Sequence, residues 1–158
     1  MNQRRRKTLC INPAFAAYPL RIGHSRIHGY GVFASNAIPR RRKVIEYTGE
    51  RILWPEAYRR LKKLVGPHGL KKIYMFGLNR LWRIDGAVGG SGAERVNHSC
   101  EPNLFVRKMR GHILFFSRRR IRRGEELTFD YRLSPKTYRI ACHCGSKNCR
   151  GQLNMEKP

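Results

Sequence analysis

The apolar residues of this chain arrive in short runs, and that limits its fold more than any other feature. Leu20-Arg21-Ile22, Val32-Phe33-Ala34, Lys43-Val44-Ile45-Glu46-Tyr47, Glu50-Arg51-Ile52-Leu53 and Ile73-Tyr74-Met75-Phe76 are rich in β-branched and aromatic residues. So are Leu81-Trp82-Arg83-Ile84, Leu104-Phe105-Val106-Arg107 and His112-Ile113-Leu114-Phe115-Phe116. These residue types fit a pleated, half-buried surface. Turn chemistry such as Thr48-Gly49, Gly89-Gly90-Ser91-Gly92 and Arg110-Gly111 interrupts them. Runs this short predict small sheets, in a mainly β domain of α+β class with little helix. The single helical stripe follows Trp54, where Pro55 suits the first helical position. Ala57, Tyr58, Leu61, Leu64 and Val65 keep it going until Gly66-Pro67 ends it. Lys62 and Lys63 near its C-terminus complement the dipole and read as a solvated helix end.

At 158 residues the chain is long enough to bury one core without disulfides. Residues 1–19 mix charge with Pro13 and Pro19 and read as an arm, ordered only where something holds it. Residues 20–133 show no internal boundary or repeat, and 134–158 turn loop-like around Gly145 and Gly151. No apolar run approaches the roughly 20 residues that span a bilayer. The basic start, Met1 to Lys7, leads into no signal-peptide core. An intracellular protein without a membrane is therefore expected.

Polar groups concentrate in Arg95-Val96-Asn97-His98-Ser99-Cys100-Glu101-Pro102-Asn103, where a packing segment would carry apolar ones. An amide, an imidazole, a hydroxyl and a thiol follow one another before a rigid proline, and such a run belongs at a site. Gly29-Tyr30-Gly31 lets the backbone turn tightly or approach something flat, a plain turn being the commoner use.

Five cysteines do not make a disulfide framework, and Cys142-x-Cys144-x4-Cys149 has the spacing of thiolates wrapped around Zn²⁺. A closed tetrahedral site wants four ligands. His143, Cys100 and Cys10 all compete for the missing place, His143 being crowded between two neighbouring cysteines.

Charge points toward partners. With 34 Lys and Arg against 10 Asp and Glu, the formal charge is +24. Such a field attracts polyanions, nucleic acid foremost. DNA or nucleoprotein contact is one reading, and a merely cationic, soluble surface is the other. The basic runs are Arg4 to Lys7, Arg40 to Lys43, Lys71-Lys72, Arg118 to Arg120, and Arg122-Arg123. None interleaves aromatics in the manner that stacks bases.

The motifs taken in order resemble a family. Gly29-Tyr30-Gly31-Val32-Phe33, Glu46-Tyr47-x-Gly49-Glu50, Tyr74-Met75-Phe76, Asn97-His98-Ser99-Cys100-x-Pro102-Asn103 and Gly124-Glu125-Glu126-Leu127-Thr128-Phe129-Asp130-Tyr131 precede the cysteine tail. That order, from about Leu20 to Asn154, resembles a SET-domain protein lysine methyltransferase with a post-SET segment. The resemblance implies a SET domain over 20–133, small β-sheets around a knot-like crossing of the segments at Asn97 and at Asp130-Tyr131, and a zinc-bound post-SET tail over 134–158. It implies S-adenosyl-L-methionine held by His28, Tyr30, Gly31, Tyr74, Asn97 and His98. Zn²⁺ would be held by Cys100, Cys142, Cys144 and Cys149.

In chemical terms the expected reaction is an in-line displacement, which needs alignment more than acid or base help. Tyr131 is the leading catalytic residue, with Tyr74 lining the same pocket. Phe129 occupies the aromatic position that in similar enzymes limits how many methyl groups are added, so di- or trimethyl-lysine is expected. The substrate would be a lysine of a protein, a histone or another basic DNA-associated protein. The compartment would be the nucleus or chromosome in a eukaryote, the cytoplasm or nucleoid in a bacterium. One departure stands out: where relatives often read Ala-Arg-Phe-Ile, this chain has Ala93-Glu94-Arg95-Val96, with Arg95 expected to point outward. A degenerate SET module that binds nucleic acid or chromatin with weak catalysis is the alternative.

Overall fold

The computed structural model describes residues 9–66, 69–70, 73–135 and 139–155. Its sheets are as small as the short runs predict. β1 (Leu20–His24) and β2 (Tyr30–Ala34) form a hairpin that continues through β12 (Glu126–Phe129) to β9 (Asn97–His98), in the order β1-β2-β12-β9. A second sheet sets β10 (Leu104–Met109) and β11 (His112–Ser117) beside β3 (Lys43–Tyr47), and a third sets β4 (Glu50–Leu53) beside β8 (Trp82–Asp85) and β7 (Met75–Gly77). Two-residue strands β5 (Val65–Gly66) and β6 (Gly69–Leu70) pair with each other.

β3 and β4 have the bounds that their sequences predict. The helix α1 (Trp54–Leu64) places Pro55 second rather than first, and Val65 leaves the stripe for β5. Ala57 is the one buried residue of α1, and Tyr58 stays half exposed, so the stripe does not form a core face. A cation docks the helix instead. Arg60 reaches Glu50 at 2.7 Å, Glu56 at 2.7 Å and Asp85 at 2.8 Å, joining α1 to β4 and β8.

The core lies where the first two sheets meet. β11 alternates, burying Ile113, Phe115 and Ser117. Val32, Val44, Ile45, Leu104 and Leu127 complete an interior from which water is excluded, the main source of folding free energy.

The described part of the N-terminal arm is held, as its composition requires for order. Asn12 N–H donates to the Ser91 carbonyl at 2.8 Å, Ala17 N–H to Val44 at 2.9 Å, and Ala16 bridges to Ile45. The charged run Arg4 to Lys7 lies outside the described residues. Among the described residues the C-terminal tail forms no strand. Isolated bridges, Leu133 to Asn154 and Ala141 to Gln152, attach and fold it, and the buried Asn154 amide donates to the Ser134 carbonyl at 2.9 Å.

Candidate active site and metal centre

Two segments far apart in sequence build the site by running side by side. β9 pairs with β12 in parallel, Asn97 opposite Thr128 and His98 opposite Phe129, and Ser99 N–H extends the ladder to the Phe129 carbonyl at 3.2 Å. The polar stretch is thereby buried, with Asn97, His98, Ser99 and Asn103 all nearly inaccessible. Buried polar groups need partners, and these have them. Asn103 donates from Nδ2 to the Glu126 carbonyl at 2.7 Å and accepts the Thr128 N–H at 2.9 Å.

Asn97 holds the loop before β2 against β12. Its Nδ2 donates to Glu126 Oε1 at 2.8 Å and faces the His28 and Tyr30 carbonyls at 3.2 and 3.3 Å. Glu126 also accepts from Ser25 Oγ at 2.8 and 3.0 Å. This carboxylate explains Gly31. A β-carbon there would crowd Glu126 Oε1 and push the carboxylate off Asn97 and Ser25, so glycine keeps this close approach.

A cleft of about 580 Å³ opens beside this strand pair. His28, Tyr30, Tyr74, Asn97 and His98 line it, as do Phe129 and Tyr131, while Gly31 lies behind the lining against Glu126. Its deep wall is aromatic. Phe129 lies 4.8 Å from Phe115, 4.8 Å from Tyr131 and 5.6 Å from Phe76, centroid to centroid. Tyr131 donates its hydroxyl to the Val96 carbonyl at 3.1 Å. Burial pushes the Tyr131 phenol well above its ordinary range, with the neighbouring Tyr74 and Glu126 adding to the effect. It stays protonated and remains a donor with free lone pairs.

Arg95 does not point outward. Its guanidinium lies 5.0 Å over the Tyr74 ring and its side chain is 14% exposed. The Glu94 side chain is also turned inward, accepting Gly92 N–H at 2.8 Å. Gly86 makes that possible, since a β-carbon on it would meet Glu94 Cβ and Tyr47 Oη at 2.8 Å each. Charge thus replaces the aromatic at the rim without emptying it. Lys108 adds a second cation, its Nζ 5.6 Å over Phe76.

The four sulfurs of Cys100, Cys142, Cys144 and Cys149 all lie within 4.8 Å of one another. Cys100 is 3.8 Å from Cys142 and 4.0 Å from Cys149, close to the edge of about 3.8 Å that a Zn–S bond of about 2.3 Å gives a tetrahedron. Backbone N–H donors lie against three of the sulfurs. Arg150 N–H lies 3.4 Å from Cys100, Gly151 N–H 3.4 Å from Cys149, and Cys100 N–H 3.5 Å from Cys144. Burial opposes ionisation of Cys144, but the Cys100 N–H and the Ser146 hydroxyl outweigh it and bring the thiol down to about 6. The donor set and its spacing fit one tetrahedral soft-metal ion. His143 lines the cleft and Cys10 is exposed, so the open fourth place falls to Cys100.

His98 joins the two centres. Its Nδ1 accepts Tyr131 N–H at 3.1 Å, so the proton of a neutral ring sits on Nε2, which faces Cys100 Sγ at 3.3 Å. Arg150 adds a second tie, gripping Asp130 through both nitrogens at 2.8 and 2.9 Å. The sequence pointed to neither Glu126 nor Arg150. Glu126 stands in the motif Gly124-Glu125-Glu126 at the start of β12, but no role for its carboxylate is written in the neighbouring residues.

The SET-domain family model matches residues 29–132. This chain belongs to the SET-domain family. The SET match contains the whole β9–β12 pair and the lining aromatics. Similar SET proteins include histone-lysine N-methyltransferase ATX2 of Arabidopsis thaliana, 41% identical over 85% of this chain and 13% of that protein. Human histone-lysine N-methyltransferase SETD1A is 35% identical over 89% of this chain and 8% of its own length. The chain thus spans a small fraction of these relatives. Among solved structures, an active polycomb repressive complex 2 in the stimulated state superposes with a TM-score of 0.70 at 33% identity, over 77% of this chain and 16% of that one.

Proposed function

We propose that this chain is an S-adenosyl-L-methionine-dependent protein-lysine N-methyltransferase, built as a SET unit over 20–133 closed by a zinc-bound post-SET tail over 134–158. The observation that carries this is the half-buried Tyr131 hydroxyl on the Val96 carbonyl, at the end of an aromatic wall. S-adenosyl-L-methionine, when bound, supplies an electrophilic methyl group on its sulfonium. His28, Tyr30, Tyr74, Asn97 and His98 line the space for it, and Gly31 lets the β2 loop close against Glu126. Cys100, Cys142, Cys144 and Cys149 would hold Zn²⁺, fixing the tail that contributes Cys142 and His143 to the cleft lining.

The chain's own groups explain the rest. A free lysine, with a pKa of about 10.4, arrives as ammonium. Aromatic walls strip its water, and the cations of Arg95 and Lys108 at the rim repel its charge, so the neutral amine is favoured inside. Tyr131 keeps its proton on Val96, leaving its oxygen lone pairs to accept an amine N–H and turn the amine's own lone pair toward the methyl group. Phe129 offers no hydroxyl to fix a crowding water, so a methylated amine can turn and react again, giving di- or trimethyl-lysine. The substrate is a lysine of a histone or other basic DNA-associated protein, met at chromatin or a nucleoid.

Incubation of the purified chain with labelled cofactor and candidate basic proteins, free and DNA-bound, followed by mass spectrometry, tests this. Appearance of methyl-lysine supports it. A chain that binds DNA yet takes up no S-adenosyl-L-methionine in calorimetry would instead be a non-catalytic SET module, the reading that Glu94-Arg95 favours.

A further inference from the structure

The loop before β3 and the loop before β12 meet at a reciprocal pair of backbone bonds, Ile38 N–H to Ile121 and Ile121 N–H to Ile38, both 2.9 Å. Ser117 sews them together further along. It accepts Arg42 N–H on Oγ at 2.9 Å, donates from Oγ to the Pro39 carbonyl at 2.6 Å, and from N–H to the Arg42 carbonyl at 3.0 Å. Arg40 Nε adds a bond to the Arg118 carbonyl at 3.1 Å. Two arginine runs remote in sequence therefore share one face: Arg40, Arg41, Arg42 and Lys43 beside Arg118, Arg119, Arg120, Arg122 and Arg123, all exposed. Arg41 even holds a left-handed φ of 61°, a conformation that favours glycine or asparagine.

Among the described residues, Glu125 is the one carboxylate that forms an ion pair with this face, to Arg119. A broad open groove of about 1150 Å³ lies over it, lined by Arg119, Arg120, Arg122 and Arg123 with Ala37, Gly124 and Glu125. The groove is separate from the active-site cleft. The two share no lining residue, and Glu125 of the groove and Phe129 of the cleft stand about 13 Å apart along β12 at roughly 3.3 Å per residue.

We infer that this arginine face is a docking site for the phosphate backbone of duplex nucleic acid, built by the Ile38–Ile121 bridge and distinct from the active-site cleft. Guanidinium groups match phosphate oxygens in a fixed fork. The lining holds no aromatic ring on which unpaired bases would stack, so a duplex suits it better than a single strand. It also lacks the apolar anchor pocket that a protein partner would fill. Contact is with the backbone and independent of sequence. The inference deepens the proposed action on DNA-bound proteins, since the duplex would offset the repulsion between a +24 chain and a basic substrate.

Fluorescence anisotropy of a labelled DNA duplex, titrated across salt, tests it. Replacing Arg120, Arg122 and Arg123 by Gln should flatten the slope of log affinity against log salt by about 2.7 and weaken binding about tenfold or more at moderate salt. A variant on the other loop, Arg40→Gln with Arg42→Gln, should flatten it by about 1.8. A control of equal charge change on α1, Arg59→Gln with Lys62→Gln and Lys63→Gln, should lose much less. Equal losses in the control, duplex binding insensitive to the face variants, or polyglutamate displacing the duplex at equal charge would each overturn the assignment. Methyl transfer is read separately. With the face variants, transfer to a free basic protein should hold while transfer to its DNA complex falls. If the wild-type chain transfers no methyl group at all and the face variants still weaken the duplex, the catalytic reading fails and the face stands.

Discussion

The body and the C-terminal tail of this protein are held by different forces, and the site lies on the seam between them. The body buries Val32, Ile45, Ile113, Phe115 and Leu127 beyond the reach of water, and its strands satisfy their backbone groups in ladders. Over residues 139–155 the tail buries only Cys142 and Asn154 and has isolated bridges in place of strands. A segment with so little apolar burial cannot offset its own ordering entropy. Four sulfurs, the Asp130–Arg150 pair and the His98 link supply what packing does not. The aromatic wall of the cleft thus comes from the stable half, and Cys142 and His143 of its lining from the half with the least intrinsic stability.

Substitutions separate the two halves. Tyr131→Phe removes a body hydroxyl and nothing from the tail; single-turnover transfer should fall about 100- to 1,000-fold, the loss typical of one positioned polar group, with metal content unchanged. Cys100→Ser and Cys144→Ser attack the hold on the tail from two segments, one in the body and one in the tail. Each should release the metal, measured by atomic absorption, and lower transfer about tenfold or more, whereas the melting temperature of the body should shift by only a few degrees. One metal per chain retained in Cys100→Ser would break the shared-site assignment. Arg150→Gln keeps the sulfurs and cuts the grip on Asp130; a few-fold loss of transfer and faster hydrogen exchange in the tail alone are expected, for a half-buried pair worth about 1 kcal/mol. Phe129→Tyr should leave the first transfer nearly intact and shift the product toward monomethyl-lysine in a mass-spectrometric time course. A wild-type chain that stops at monomethyl-lysine with excess cofactor would count against that reading.

Local features were legible in the sequence, and partnerships across the fold were not. β3 and β4 begin and end where turn residues say they should, because strand propensity and punctuation are written within a few residues. The polar stretch at Asn97 and the cysteine spacing were visible for the same reason. Glu126 was missed because its meaning depends on Gly31, Ser25 and Asn97, which reach it only after the sheet closes. Arg95 was expected to face solvent, since an arginine in an aromatic position looks misplaced until Tyr74 is found beneath it. The stripe after Trp54 reads as one short surface helix, and it is one; what the stripe does not show is that Arg60 ties it to Glu50 and Asp85.

The sheet order β1-β2-β12-β9 has a consequence for synthesis. β2 waits for a partner nearly a hundred residues downstream, and β9 has no ladder until the same strand arrives. Pairings so distant in sequence are slow to form, because loop closure comes before any contact repays it. The chain emerging from the ribosome therefore holds two unfinished edges until β12 appears. When β12 enters, it seals both edges and sets Phe129 and Tyr131 against β9 in one event. In this topology the aromatic wall and the polar strand come together in one step, so the strand pair beside the cleft has no half-built form.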